Sequence, residues 1–137
     1  AIVNGETADW RRSAKGRLAE IIVLDQFSRN MFRDNAKAFA ADALAVELAK
    51  EALSDWDAFT VQERSFVVMP FMHSESLAVH DWAVKWFDEP GLERRKKYEL
   101  LHREIIERFG RYPHRNRVLG RTSTPEEEAF LKEHPGF

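Results

Sequence analysis

Apolar residues recur at intervals of three and four along most of the chain, and strand-like alternation is nearly absent. That period belongs to a helix, so the pattern predicts an all-α domain. From Ser13 to Phe32, the residues Leu18, Ile21, Ile22, Leu24, Phe27 and Met31 surround most of a helix circumference, which predicts burial on several sides. A second helix over 36–53 carries a stripe of Phe39, Ala43, Val46, Leu48 and Leu53, with Ala-rich faces suited to close helix approach. Thr60 and Glu63 make a capping box that starts a helix at Val61. Pro70 ends or kinks that helix, because it lacks an N–H and disfavours helical backbone at Met69. Ser74 is the expected cap of the next helix, which runs to Phe87 before the break at Asp88-Glu89-Pro90-Gly91. Over 92–109 a long helix is expected to turn Leu101, Ile105 and Phe109 inward, with Gly110 at a left-handed C-terminal cap. Thr124-Pro125-x-Glu127 is a second capping box, opening a short last helix that ends before Pro135. About six helices on short loops predict an antiparallel helical-hairpin stack.

The chain has 137 residues, which predicts a single helical domain over 1–137. With 44% hydrophobic and 32% charged residues it can build a core. Its net charge of −2 speaks against a generally basic nucleic-acid binder. There is no cysteine, which excludes disulfide scaffolds, thiolate metal centres and cysteine nucleophiles. The longest apolar stretch, Phe66 to Met72, falls far short of the roughly 18 residues that span a bilayer, and no leader pattern opens the chain. A soluble cytoplasmic protein with no membrane partner is the expectation.

Three polar groups interrupt the apolar pattern. Asp25 sits within the first helix, with Arg29 and Arg33 following at four and eight residues on one face. Asp25 and Arg29 are spaced to pair. The pair is either a structural ion pair or part of an arginine-lined anion site, since the guanidinium fork suits carboxylate and phosphate. His73-Ser74-Glu75 follows Pro70, and His73 with Glu75 could serve as base and orienter. His80 lies seven residues on from His73, and His102 lies beside the inward stripe of the long helix. A metal site of His73, Glu75, His102 and His114 is conceivable, but no H-x3-H pair supports it, and neither metal nor cofactor is expected.

The densest group is the segment from Gly110 to Arg121, with Arg111, His114, Arg115, Asn116, Arg117 and Arg121 and no acid. Either it traps an anion, or its arginines tie the loop to helix C-termini and to Glu126, Glu127 and Glu128. Arg94-Arg95-Lys96-Lys97 opens the long helix, where positive charge opposes the helix dipole. That run is either a solvated face or a contact for phosphate or an acidic partner. Trp56, Trp82 and Trp86 are expected in the core or in a groove.

Three segments together carry a resemblance: Leu18-Ala-Glu-Ile-Ile-Val-Leu-Asp-Gln-Phe-Ser-Arg-Asn30, Pro70-Phe-Met-His-Ser-Glu75, and Phe109-Gly-Arg-Tyr-Pro-His-Arg-Asn116 with Leu119-Gly-Arg-x-Ser-Thr124. In order and content they resemble the bacterial domain-of-unknown-function family numbered 924, from about Trp10 onward. The resemblance implies a tetratricopeptide-like helical fold and no established activity. The family's motif positions fall on Asp25, Gln26, Arg29, Asn30, His73, Glu75, His102, Gly110, Arg111, Pro113, His114, Arg115 and Asn116. Family members usually carry a further N-terminal helical stretch, which this chain is expected to lack. Apolar surface left uncovered on the first helix would then favour a homodimer.

These residues support two readings. In one, Arg29, Arg111 and Arg115, with Asp25, Asn30, His102 and Asn116 around them, hold a small phosphate- or carboxylate-bearing ligand. His73 or His114 is then the general acid or base and Glu75 its orienter, with hydrolysis as the broad class. In the other, stacked helices bind a protein or peptide without catalysis. The residues do not decide whether the chain is an enzyme.

Overall fold

The computed structural model describes residues 13–31 and 35–136, and every regular element among them is helical. Helix α1 (Ala14–Ile22) starts at Ser13, whose hydroxyl accepts the Gly16 N–H at 3.0 Å. The chain then passes through one π-helical turn, Val23–Phe27, into α2 (Ser28–Met31). The expected helix is therefore widened in the middle, at the turn that carries Asp25. Such insertions re-aim the side chains around them. Leu24 and Asp25 are both almost wholly buried, whereas Met31, expected inward, is exposed. Arg33 and Phe32 lie outside the described residues, as does the side chain of Phe27.

Asn35 caps a 3-10 turn, Ala36–Phe39, that leads into α3 (Asp42–Ala52). Ala45, Ala49 and Ala52 are fully buried along one face of α3, and α1 packs on that helix. Methyl side chains let the two backbones come close. A further 3-10 segment, Leu53–Ala58, precedes α4 (Val61–Val67), where both arms of the Thr60–Glu63 capping box form. Pro70 is the second residue of α5 (Met69–His73), and the break it imposes falls at Val68.

The next cap differs from expectation. Ser76 caps α6 (Leu77–Ala83) by accepting the Val79 N–H, while Ser74 accepts the Ser76 N–H. The helix starts late because Glu75 is drawn away to the Tyr112 N–H and to Arg121. A 3-10 segment, Val84–Phe87, completes this stretch. Helix α7 (Glu93–Phe109) ends at Gly110, whose φ of 74° is left-handed. Leu101 is exposed on α7 rather than inward. The buried face of α7 carries Glu99, His102, Ile105 and Ile106, so two polar residues hold inner positions that an apolar count overlooks. The chain closes with a 3-10 turn, Pro113–Arg115, then α8 (Asn116–Leu119) and α9 (Pro125–Glu133) with its predicted capping box. Each of the expected helices is present, several of them broken by a tighter or wider turn.

The main core joins Leu18, Ile21 and Leu24 to Val67, Val68, Phe71, Phe87 and Leu92. Each such side chain contributes about 1.5–3 kcal/mol by leaving water. Trp56 meets Trp86 edge-on at 5.3 Å and donates its indole N–H to Glu89. A smaller cluster of Ile105, Ile106 and Tyr112, with Leu77, Phe109 and Phe130 against it, seats the C-terminal segment. Helix α5 packs on both α3 and α7, which carries His73 to the junction of these elements. Among the described residues no helix is long and apolar enough to cross a membrane.

Candidate functional site

The π-helical turn and the end of α5 place Asp25 against His73, with His73 Nδ1 2.7 Å from Asp25 Oδ1. Asp25 also accepts from Arg29 Nη1 at 3.0 Å and from the Gln26 amide. Burial pushes this carboxyl up, but His73, Arg29 and Gln26 more than offset it, and its pKa falls below the ordinary carboxylate value. An ionised Asp25 fixes the proton of His73 on Nδ1 and leaves Nε2 for whatever occupies the space beside the ring. Asp25, not Glu75, is thus the orienter of His73.

Asp42, at the first turn of α3, joins two arginines. Its Oδ2 accepts from Arg29 Nη2 at 3.0 Å and from Arg115 Nη1 at 3.2 Å. Its Oδ1 is buried and has no hydrogen-bond partner among the described residues. Burial raises the Asp42 pKa against the pull of both guanidiniums. Arg115 donates to the His73 carbonyl at 2.6 Å and lies over the Phe39 ring at 4.3 Å and the Tyr112 ring at 4.9 Å. Burial lowers its own pKa, opposed by Asp42 and Glu75.

Arg29, Phe39, His73, His102, Tyr112, His114 and Arg115 line one cavity of about 260 Å³. A second cavity, about 900 Å³, opens between α4, α5 and the start of α7, and His73 and His102 belong to its wall as well. The two rings stand 6.4 Å apart, centre to centre. His102 Nδ1 donates to the Tyr98 carbonyl, and burial brings its pKa down to about 4. His102 is therefore neutral at pH 7.

Behind this cavity lies a pair that sequence reasoning missed. His80 and Glu99 are both fully buried and in direct contact through Nδ1 and Oε1. His80 Nε2 reaches the Ser74 carbonyl at 2.7 Å and the Tyr112 hydroxyl at 3.1 Å, and that hydroxyl donates to the Met72 carbonyl. Burial raises the pKa of Glu99 and carries that of Tyr112 far up. The pair clamps α6 to α7 and fixes the Tyr112 ring that floors the cavity. Position alone offered the weak signal that was available: Glu99 and His102 are three apart on the inward side of α7.

The other expected site residues divide in two. His114 lines the small cavity, and its Nε2 donates to the His134 carbonyl at 2.6 Å. Glu75 is taken up by Arg121, through two contacts of 3.0 Å, and by the Tyr112 N–H. Hydrogen bonds from those groups, against burial, hold its carboxyl below its usual value. Arg111 forms a forked pair with Glu127 at 2.8 and 2.9 Å and does not line either cavity. Asn116 is buried, donating to Glu127 and accepting from Arg121. Asn30 is exposed at the far end of α2. Of the arginine-rich loop, Arg111 and Arg121 thus bind acids of the chain itself, and Arg115 reaches the cavity. Among the described residues no group of three or more His, Asp and Glu side chains is arranged to hold a metal.

Residues 1–135 match the family model described as bacterial protein of unknown function, DUF924. A solved structure of a protein of unknown function from Agrobacterium tumefaciens is 37% identical, with a TM-score of 0.87. The match covers 98% of this chain and 77% of that one. No match was found among curated proteins.

Proposed function

The chain belongs to this bacterial DUF924 family, and on that footing we propose that it binds a small phosphate- or carboxylate-bearing ligand in the 260 Å³ cavity. The observation that carries this reading is the lining itself. Two arginines and three histidines face one space, and no carboxylate is among them. Arg29 and Arg115 are anchored by Asp25 and Asp42 behind the cavity, which holds their positions while each guanidinium keeps further N–H donors. His73, oriented by Asp25, is the group suited to move a proton at the bound molecule, and neutral His102 is its counterpart across 6.4 Å. Hydrolysis of the bound ester or anhydride is the reaction class this pair would serve.

The test is a thermal-shift titration with inorganic phosphate and with acetate. A ligand at about 100 times its Kd stabilises the fold by about 2.7 kcal/mol. The shift is expected in the parent protein and is expected to vanish in Arg29→Gln and Arg115→Gln variants that keep their circular dichroism. No shift in the parent protein, or one that survives both substitutions, overturns the reading.

One observation favours the second reading, a peptide-binding module. Leu100 and Leu101 are both exposed on α7 and, with Phe87 and Pro90, line a groove of about 700 Å³. Exposed apolar residues gathered in a groove suit a helical or extended peptide. A Leu100→Glu, Leu101→Glu variant that loses capture of apolar peptides from a display library supports it, and equal capture by both proteins removes it.

A further inference from the structure

The larger cavity bears on what kind of anion the site takes. Its wall holds Arg94 and Arg95 from the start of α7, Gln62 and Ser65 from α4, and the rings of His73 and His102. No carboxylate lines it. Arg94 and Arg95 form no ion pair among the described residues, although the chain elsewhere pairs Arg17, Arg29, Arg64, Arg103, Arg111, Arg115 and Arg121 with acids. Arg94 is stacked over Tyr98, with its guanidinium carbon 5.9 Å from the ring centre. That stack orients the charge at the cavity wall while leaving its edge donors for a ligand. Among the described residues these two arginines therefore stand as cations without a counter-charge, beside the same two histidines that border the inner cavity.

We propose that the ligand is an elongated molecule with an anionic group at each end. One end is held at Arg29 and Arg115 in the inner cavity, the other at Arg94 and Arg95 in the outer one, and the segment between passes His73 and His102. This rests on the reading of the inner cavity given above and adds the substrate class. The chemistry fits a dicarboxylate or a phosphorylated carboxylate, in which the bond beside the inner anion lies next to His73. A single small anion needs the inner cavity alone. A second charge reaching Arg94 and Arg95 gains two guanidiniums that no acid among the described residues pairs with.

The experiment is isothermal titration calorimetry at low salt with inorganic phosphate and with matched pairs of straight-chain mono- and dicarboxylates from five to nine carbons. One dicarboxylate length is expected to bind at least tenfold more tightly than its monocarboxylate partner. In an Arg94→Ala, Arg95→Ala variant, which changes one exposed and one half-buried side chain at the start of α7, that preference is expected to fall to about onefold. If mono- and dicarboxylates bind alike in the parent protein, or the preference survives in the variant, the two-ended ligand is overturned while the inner anion site stands. If phosphate and every carboxylate fail to bind, the inner site itself is overturned, and this inference with it.

Discussion

His73 Nδ1 and Asp25 Oδ1 lie 2.7 Å apart, though 48 residues separate them in the chain. One belongs to the end of a five-residue helix and the other to a π-helical turn. Their contact turns two interruptions of regular helix into one oriented imidazole. Replacing Asp25 by Asn keeps the shape but removes the charge that His73 and Arg29 face. A loss of about 2–3 kcal/mol at pH 7 is expected from urea denaturation. The pH dependence has a definite sign. Because folding lowers the Asp25 pKa, its contribution is complete above the ordinary carboxylate range and is lost as pH falls through the lowered value. Asp25→Asn should lack that acid-side loss.

His102 predicts a second, separable pH effect. Its pKa is about 4 in the folded protein against 6.5 for a free imidazole. Between those values the unfolded chain binds a proton that the folded chain refuses, so stability falls as pH drops from about 6.5 toward 4. The full effect is about 3 kcal/mol. Stability curves taken across this range should flatten in a His102→Gln variant; an unchanged slope would assign the proton to another group.

The Arg111–Glu127 fork is expected to hold the C-terminal segment rather than a ligand. Glu127 accepts from Arg111, Asn116 and the Thr124 N–H, and the Arg111 pair brings its pKa down to about 2. Glu127→Ala should destabilise the fold more than Arg111→Ala in urea denaturation, because the first also removes a helix cap. A double-mutant cycle should show the two substitutions to be coupled, the double variant losing less than the sum of the single ones. Phosphate-induced thermal shifts should be the same for Arg111→Ala and the parent protein.

Two glycines separate backbone strain from steric conflict. Gly91 has φ of 96°, and a Cβ there would sit 2.6 Å from Val61 Cγ1. Gly110 has φ of 74° with open space around it. Gly110→Ala should cost about 1 kcal/mol for the left-handed backbone alone. Gly91→Ala should cost about 1 kcal/mol more, and a Gly91→Ala, Val61→Ala double variant should recover that excess in thermal denaturation.

Local chemistry was readable where the responsible residues are neighbours. Both capping boxes, the break at Pro70 and the left-handed Gly110 follow from residues within a turn of one another. The Asp25–Arg29 pair, four residues apart on a helix, was legible in the same way. Glu75 shows the limit. Beside His73 in the chain it read as that histidine's orienter, yet the backbone turns at Ser74 and sends its carboxylate to Arg121, 46 residues on. Ser74 lost its capping role for the same reason. On α7 Ile105 lies inward as expected, but Leu101 does not, because Glu99 and His102 hold inner positions where His80 and the Tyr98 carbonyl satisfy them.

By itself, then, the sequence determined the helical class, the family and most helix ends, because periodicity, capping and proline act over a few residues. It also marked Arg29, His73, His102, His114 and Arg115 as candidates, and these share one cavity. Tertiary structure decided how the charges are paired. Asp25, Asp42 and Glu127 each take an arginine that packing brings within about 3 Å, and Arg115 comes to Asp42 from 73 residues away. Those pairings turned Arg111 and Asn116 to Glu127, set Asp42 and the His80–Glu99 clamp behind the inner cavity, and left Arg94 and Arg95 at the wall of the outer cavity with no acid among the described residues.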